Sequence, residues 1–136
     1  MTLTDAGPLV ALLDADEQDH ARCLETLETI ALPLLTTWPA FTEAVYLLGK
    51  AGGWPGQRGL WEMVHRDVLV ITELDAARAA RSAALMEQYR DHPMDLADAT
   101  LVAVAEERRL RRIFTLDEHF RSYRMRGGHF LEVVPE

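Results

Sequence analysis

Five acidic residues of this chain, Asp5, Glu43, Asp95, Asp98 and Asp117, stand at or near predicted junctions between strands and helices, and gathered together they would hold a hard cation. Oxygen ligands without histidine or cysteine suit Mg²⁺ or Mn²⁺ and disfavour zinc. None of the histidines, His20, His65, His92, His119 and His129, has metal-ligand spacing to another. Asp98 is the most informative of the acids. On a helix that opens at Asp95 each residue turns by about 100°, so Asp98 shares a face with Leu101, Val102 and Ala105. That face is expected to be buried, and a carboxylate there is costly unless it is paired, protonated or bound to a cation. No Lys or Arg lies on the same face within one turn, so its partner must come from elsewhere in the chain.

The elements that would position these acids can be read in order. Residues 2–4 are a short strand that delivers Asp5 to the start of an apolar helix, Leu9 to Leu13. Residues 17–30 read as an amphipathic helix on the stripe Ala21, Leu24 and Leu27, with Cys23 beside it. Residues 34–37 are a second strand, and Pro39 suits the first turn of a helix over 39–51 that ends at Gly52-Gly53. Phe41, Ala44, Val45 and Leu48 make its apolar face; Glu43 falls nearly opposite, where periodicity alone makes it a solvated glutamate. A helix over 57–64, a strand over 68–71 and an alanine-rich helix over 73–89 follow. Pro93 stops that run, Asp95 is placed as an N-cap, and strong helix formers continue to Arg109. Residues 112–115 form a strand that delivers Asp117 just past its end, 118–123 a short turn, and 130–134 a last strand. Ligand sites in open α/β sheets form at such strand ends. The alternation predicts an α/β fold of three layers, α/β/α, with a mainly parallel sheet of four to five short strands.

Length and composition limit the possible functions. A chain of 136 residues with 49% hydrophobic residues is expected to make one domain over 1–136 with a real core. The net charge of −8 argues against a general nucleic-acid coat, because nonspecific phosphate binding needs net basic surface. It leaves room for an enzyme that holds nucleic acid through metal ions. The charge is uneven: residues 101–136 carry seven Lys or Arg against six Asp or Glu, whereas residues 1–100 carry seven against sixteen. Phosphate-facing surface is therefore expected in the last quarter, with Arg108, Arg109, Arg111 and Arg112 as one cluster and Arg121, Arg124 and Arg126 as another around Tyr123. The bland alternative is a solvated charged surface. A single cysteine, no basic leader and no long apolar run point to a cytoplasmic protein off the membrane.

Each acid taken singly also has a structural explanation. Asp5, Asp95 and Asp117 all fall at helix starts, where Asp caps free N–H groups and complements the helix dipole. A non-catalytic α/β binding module with acidic caps is thus one rival to a metal site. A receiver-like phosphoacceptor is another, but it needs a Lys at the site, and Lys50, the only lysine, lies within a helix.

The order of these features resembles a known family. An Asp directly after the first strand, a Glu in the helix after the second, the stretch Asp-Ala-Thr-Leu-Val-Ala-Val-Ala from Asp98 and the stretch Phe-Thr-Leu-Asp-Glu-His-Phe from Phe114 resemble the PIN domain. In size and layout the chain is similar to the VapC-type ribonuclease toxins of toxin–antitoxin pairs. The resemblance implies acidic catalytic residues at Asp5, Glu43, Asp98 and Asp117, with the metal on Asp5, Asp98 and Asp117, Asp95 as a helper and Thr115 as a nearby hydroxyl. Ala6 stands where the family usually has Thr or Ser, and Thr4 is the candidate to replace that hydroxyl. The implied reaction is Mg²⁺-dependent hydrolysis of RNA phosphodiester bonds, with Mn²⁺ as the alternative ion. A cognate antitoxin protein is the implied partner; a PIN-like RNA-processing nuclease without an antitoxin is the nearest alternative. Trp38, Tyr46, Trp54 and Trp61 supply more aromatic surface than a small monomer need expose, which predicts a homodimer.

Overall fold

The computed structural model describes all of residues 1–136. In chain order it contains β1 (Thr2–Thr4), α1 (Ala6–Leu13), α2 (His20–Leu27), β2 (Leu34–Thr37), α3 (Trp38–Gly52), α4 (Trp54–His65), β3 (Leu69–Thr72), α5 (Ala76–Gln88), α6 (Leu96–Arg108), β4 (Arg112–Phe114), a 3₁₀ turn (Glu118–Arg121) and β5 (Glu132–Val134). The strands form one parallel sheet in the order β3-β2-β1-β4-β5. β1 is central, so Asp5 leaves the sheet between the ends of β2 and β4. Because successive side chains in a strand point to opposite faces, Leu34 and Phe114 enter the core under α1, α3 and α4, while Leu35 and Ile113 enter the core under α5 and α6. Both faces are covered, as parallel sheets require. No helix is long and apolar enough to cross a membrane.

α6 is the centre of one layer. Residues Ala97 to Ala105 are all buried, not only the face that carries Asp98. The helix meets α5, α3 and the sheet at once, and Phe120 and Tyr123 close its remaining side, so small and branched residues replace the polar stripe of a surface helix. α2 departs from expectation in the other direction. Ala21 and Leu24 are exposed, and Cys23 and Thr26 are turned inward. α2 packs on α1 alone, so one narrow stripe suffices and the more apolar positions are left in solvent.

Glycines set two boundaries that periodicity misses. Gly53, at φ 82°, lets the chain reverse between α3 and α4, so α4 begins at Trp54 with Pro55 in its first turn. Gly127 and Gly128, at φ 87° and 82°, close a turn that returns Phe130 to an antiparallel bridge with Arg124, so β5 starts only at Glu132. Of the four aromatic residues expected on the surface, Trp38, Tyr46 and Trp54 are exposed, but Trp61 is half-buried, edge-on to Phe41 at 4.9 Å.

This division of burial has a measurable consequence. Leu101→Ala is expected to lower unfolding free energy by about 2–5 kcal/mol, because its cavity is walled on all sides, and Leu24→Ala by less than about 0.5 kcal/mol. Urea titrations of the two variants test the assignment; comparable losses would mean that α2 uses the Ala21–Leu24 stripe after all.

Candidate metal centre

Three elements end or begin at one edge of the sheet and bring the acids together. Asp5 follows β1 directly and caps α1, its Oδ1 accepting the Ala6 N–H at 2.8 Å. Asp95 caps α6 and Asp98 occupies its first turn. Asp95 Oδ1 accepts the Asp98 N–H at 2.9 Å, and Asp98 Oδ2 accepts the Asp95 N–H at 3.3 Å, a reciprocal box in which both ends are acidic. Asp117 follows β4 and accepts the His119 N–H at 2.9 Å. One carboxylate oxygen from each of Asp5, Asp98 and Asp117 lies within 4.8 Å of the others. They line a cleft of about 260 Å³ together with Glu43, Asp95, Gly7, Leu47 and Leu116.

Thr115 ties two of the acids in place. Its hydroxyl donates to Asp5 Oδ2 at 2.8 Å and accepts the Asp117 N–H at 3.0 Å, so a single buried side chain at the end of β4 sets the separation of both carboxylates. Thr4 takes no such part: its hydroxyl donates to the Thr2 carbonyl within β1 at 2.9 Å. The replacement expected for the hydroxyl missing at Ala6 is therefore not made there. Deeper in the fold, the Thr37 and Thr100 hydroxyls meet at 2.7 Å and pin the start of α6 to the end of β2.

Glu43 reaches the cleft although periodicity assigned it to solvent. α3 follows β2 without a loop, so its first turns rise over the edge of the sheet, and the exposed side of the helix is the side that overlooks the acids. Its carboxyl is raised above the usual range, first by partial burial and then by the charges of Asp5, Asp95 and Asp117. Solvent exposure and a place at the site are compatible here.

Electrostatics mark this cleft as uncompensated. No Lys or Arg pairs with any of its five carboxylates; the only basic contact is His119 Nδ1 to Asp117 Oδ1 at 2.9 Å. Burial pushes Asp98 up to about 7, with the charges of Asp95 and Asp5 adding to it, and Asp5 is raised chiefly by its own burial. Desolvation therefore outweighs mutual repulsion in both. Tyr123 was not legible as part of this site: it sits among basic residues in the sequence, yet it is buried and places its hydroxyl 3.2 Å from Asp98 Oδ2, next to the Pro93 carbonyl. A single hydroxyl proton cannot serve both acceptors, whereas a protonated Asp98 donating to the Tyr123 oxygen satisfies all three groups. The signal for its burial was the spacing Phe120-x-x-Tyr123, which puts two rings on one side of a turn, 5.2 Å apart and edge-on.

The seven arginines expected to face phosphate do not form a surface around this cleft. Arg112 pairs with Glu132 at 3.1 Å, Arg121 with Glu118 at 2.6 Å, Arg124 lies over the Phe130 ring at 4.7 Å, and Arg108 rests on the Met1 sulfur at 3.7 Å. Arg109, Arg111 and Arg126 line a separate cavity at the other end of α6. The reason is geometric: α6 is antiparallel to β4, so a basic run joining them falls at the edge of the sheet opposite the acids.

The family model for the PIN domain matches residues 2–124. The chain belongs to the PIN domain family. Its size and fold are those of the family over almost its whole length. It is 29% identical over 134 residues to Ribonuclease VapC26 of Mycobacterium tuberculosis, covering 98% of this chain and 99% of that relative. Among solved structures, VapC20 of Mycobacterium tuberculosis, described as a sarcin–ricin loop cleaving toxin, superposes with a TM-score of 0.80 at 14% identity over 86% of this chain and 90% of that one. VapBC2 of Rickettsia felis, bound to a DNA fragment from its promoter, gives 0.66 at 14% identity over 97% of both chains. At such identities the likeness to the solved structures is one of PIN fold.

The PIN-domain cleft predicts an unusual dependence of stability on pH. A folded-state Asp98 raised to about 7 holds a proton that the unfolded chain releases near 4. Its contribution to stability is thus complete below about pH 4 and is lost as pH rises through about 7. In chelator, Asp98→Asn should lack this loss and be at least as stable as wild type at pH 7.5. With Mg²⁺ the order should reverse: a dissociation constant on the order of 1 mM and roughly 10 mM ion stabilise wild type by about 1.4 kcal/mol. Denaturant titrations of both proteins at pH 4.5, 6 and 7.5, with chelator and with Mg²⁺, decide it; parallel pH curves and equal responses to the ion would make Asp98 a helix cap and nothing more.

Proposed function

We propose that the protein is a metal-dependent endoribonuclease of the VapC type, a single PIN unit over residues 1–136 that acts on RNA in the cytoplasm and is held inactive by a cognate antitoxin. The observation that carries the proposal is the convergence of Asp5, Asp98 and Asp117 without an internal counter-charge, in a chain similar over nearly its full length to a ribonuclease. The donor set is all carboxylate oxygen, which fits Mg²⁺ or Mn²⁺. Such an ion would supply positive charge at the scissile phosphate and make an attacking water more acidic.

The chain's own residues do the positioning. Asp5, Asp98 and Asp117 would hold the ion, and Thr115 would fix the spacing of the first and last. Each carboxylate spends part of its capacity on a backbone N–H, and with about four lone-pair sites apiece they retain free ones for a cation. A cap and a ligand are therefore the same residue in two roles. Glu43 at the mouth would add charge toward the ion, and Asp95 would keep Asp98 in its rotamer. Asp98 is the group that must lose a proton for the ion to bind, which ties activity to neutral or higher pH.

The same uncompensated cleft supports an antitoxin. An acidic pocket that lacks a basic partner within its own chain is a receptor for one from another, and the structures of similar fold include toxin–antitoxin complexes. The exposed Trp38, Tyr46 and Trp54 support a homodimer.

Incubation with a total-RNA pool should yield discrete fragments with Mg²⁺ and none with chelator. Asp5→Asn and Asp98→Asn should each reduce cleavage by roughly 100-fold or more, and the double variant little further, since ligands of one ion act as a unit. Full cleavage by either variant would remove that residue from the centre, and cleavage in chelator would remove the metal. For the assembly, light scattering at micromolar concentration should give twice the chain mass; a monomer there sinks the homodimer.

A further inference from the structure

The larger of the two main cavities is not the acidic cleft but a basic one of about 630 Å³, bounded by α5, the last turn of α6, the loop into β4 and the Gly127–Gly128 turn. Its wall holds five arginines, Arg78, Arg81, Arg109, Arg111 and Arg126, over a floor that includes Leu110 and Met125. Two of the five are already engaged. Arg78 grips Glu107 with two hydrogen bonds of 2.7 and 2.9 Å, and Arg81 grips Glu106 in the same way at 2.7 and 2.9 Å. The Arg126 backbone N–H adds a third bond to Glu106, at 2.6 Å, so both glutamates are satisfied from within. The guanidinium groups of Arg109, Arg111 and Arg126 make no ion pair. They stand as free positive charge on a chain of net charge −8.

Arg109 is a second, independent pointer. It ends α6 at φ 56°, in the left-handed region where glycine is the residue without cost. An arginine there is strained in a place where nothing about the helix requires one, because Arg108 in the last turn already complements the dipole.

We propose that this cleft is a second RNA contact, which takes the sugar–phosphate backbone of the substrate strand away from the acids. Three free guanidinium groups in an open, mostly polar-walled cleft match a row of phosphates in charge and hydrogen-bond geometry. The need for it follows from the charge of the molecule, since a polyanion is repelled by the acidic surface around the cleft where it is cut. α6 separates the two sites by about 20 Å at 1.5 Å per residue, which a strand of roughly six nucleotides spans at duplex rise. The identity of the strand as RNA rests on the ribonuclease reading above; the site itself does not.

The test measures binding without cleavage. A labelled single-stranded RNA of about 20 nucleotides is titrated by fluorescence anisotropy in chelator at about 0.1 M salt, with wild type, Arg109→Gly and Arg126→Gln. Each variant should bind roughly eightfold more weakly, and its plot of log affinity against log salt should be shallower by about one unit, as expected for one lost phosphate contact. Arg109→Gly should melt no lower than wild type, so a fault in folding cannot imitate the loss. RNA of three nucleotides, too short to reach both sites, should bind all three proteins alike. Equal affinity and equal salt slope for the long RNA overturn the proposal, as does displacement of that RNA by micromolar AMP, which would make the cleft a mononucleotide pocket. If the long RNA binds through these arginines but is never cleaved with Mg²⁺, the contact stands and the nuclease reading falls; if it is cleaved with no arginine dependence, only the contact falls.

Discussion

Three carboxylates held at one edge of a sheet without a basic partner are what the rest of this molecule is arranged to tolerate. Removing such groups from water is costly, and Asp5 and Asp98 respond by titrating above the ordinary range. The protein offsets the cost with fixed hydrogen bonds and not with salt bridges. Asp5 is held between Ala6 and Thr115, Asp98 between Asp95 and Tyr123, and Asp117 beside Thr115 and His119. Each holding group belongs to a strand end, a helix start or a buried ring, so the carboxylates cannot swing apart to relieve one another. That is the condition for cation affinity: the ligands are preorganised and the energy of their separation from water is recovered only when positive charge arrives.

α6 connects this site to the rest of the structure. Its N-terminus supplies Asp95 and Asp98, its nine consecutive buried residues form much of one core, and its C-terminus carries Arg108 and Arg109. The two ends therefore differ in charge as well as in position. Acids gather where the helix dipole is positive and arginines where it is negative, which lowers the cost of each group. A protein that is acidic overall thus keeps one compact basic region, and keeps it remote from the centre whose charge it would otherwise cancel.

The dual use of acids as caps and as ligands explains why such a site survives wide sequence change. VapC20 shares the fold at 14% identity. A capping Asp at the start of a helix is favoured for local reasons before any function is considered, and parallel strands place those helix starts on a common edge. Few further constraints are needed to turn caps into a cation site: a short first strand, a helix with small residues able to sit deep in the fold, and one hydroxyl at the end of β4.

Much of this was open to reading from the residues. Alternation of strand and helix patterns implied the layered parallel sheet. Asp98 on the apolar face of its helix implied a buried acid in need of a partner, and the order of motifs implied that Asp5 and Asp117 would be near it. These follow from periodicity and capping, which are local. What only the tertiary structure decided is which groups become neighbours through distant packing. Glu43 looks solvated because its helix face is polar, and it joins the cleft because α3 follows β2 without a loop. Tyr123 looks like part of a basic surface, and it lies under Asp98 because Phe120 draws its turn into the core. The arginines look like one band, and they divide because α6 and β4 run in opposite directions, sending a sequence-local cluster to the far edge of the sheet. A one-dimensional pattern records which face a residue prefers, but the partner that meets that face is chosen by the path of the chain.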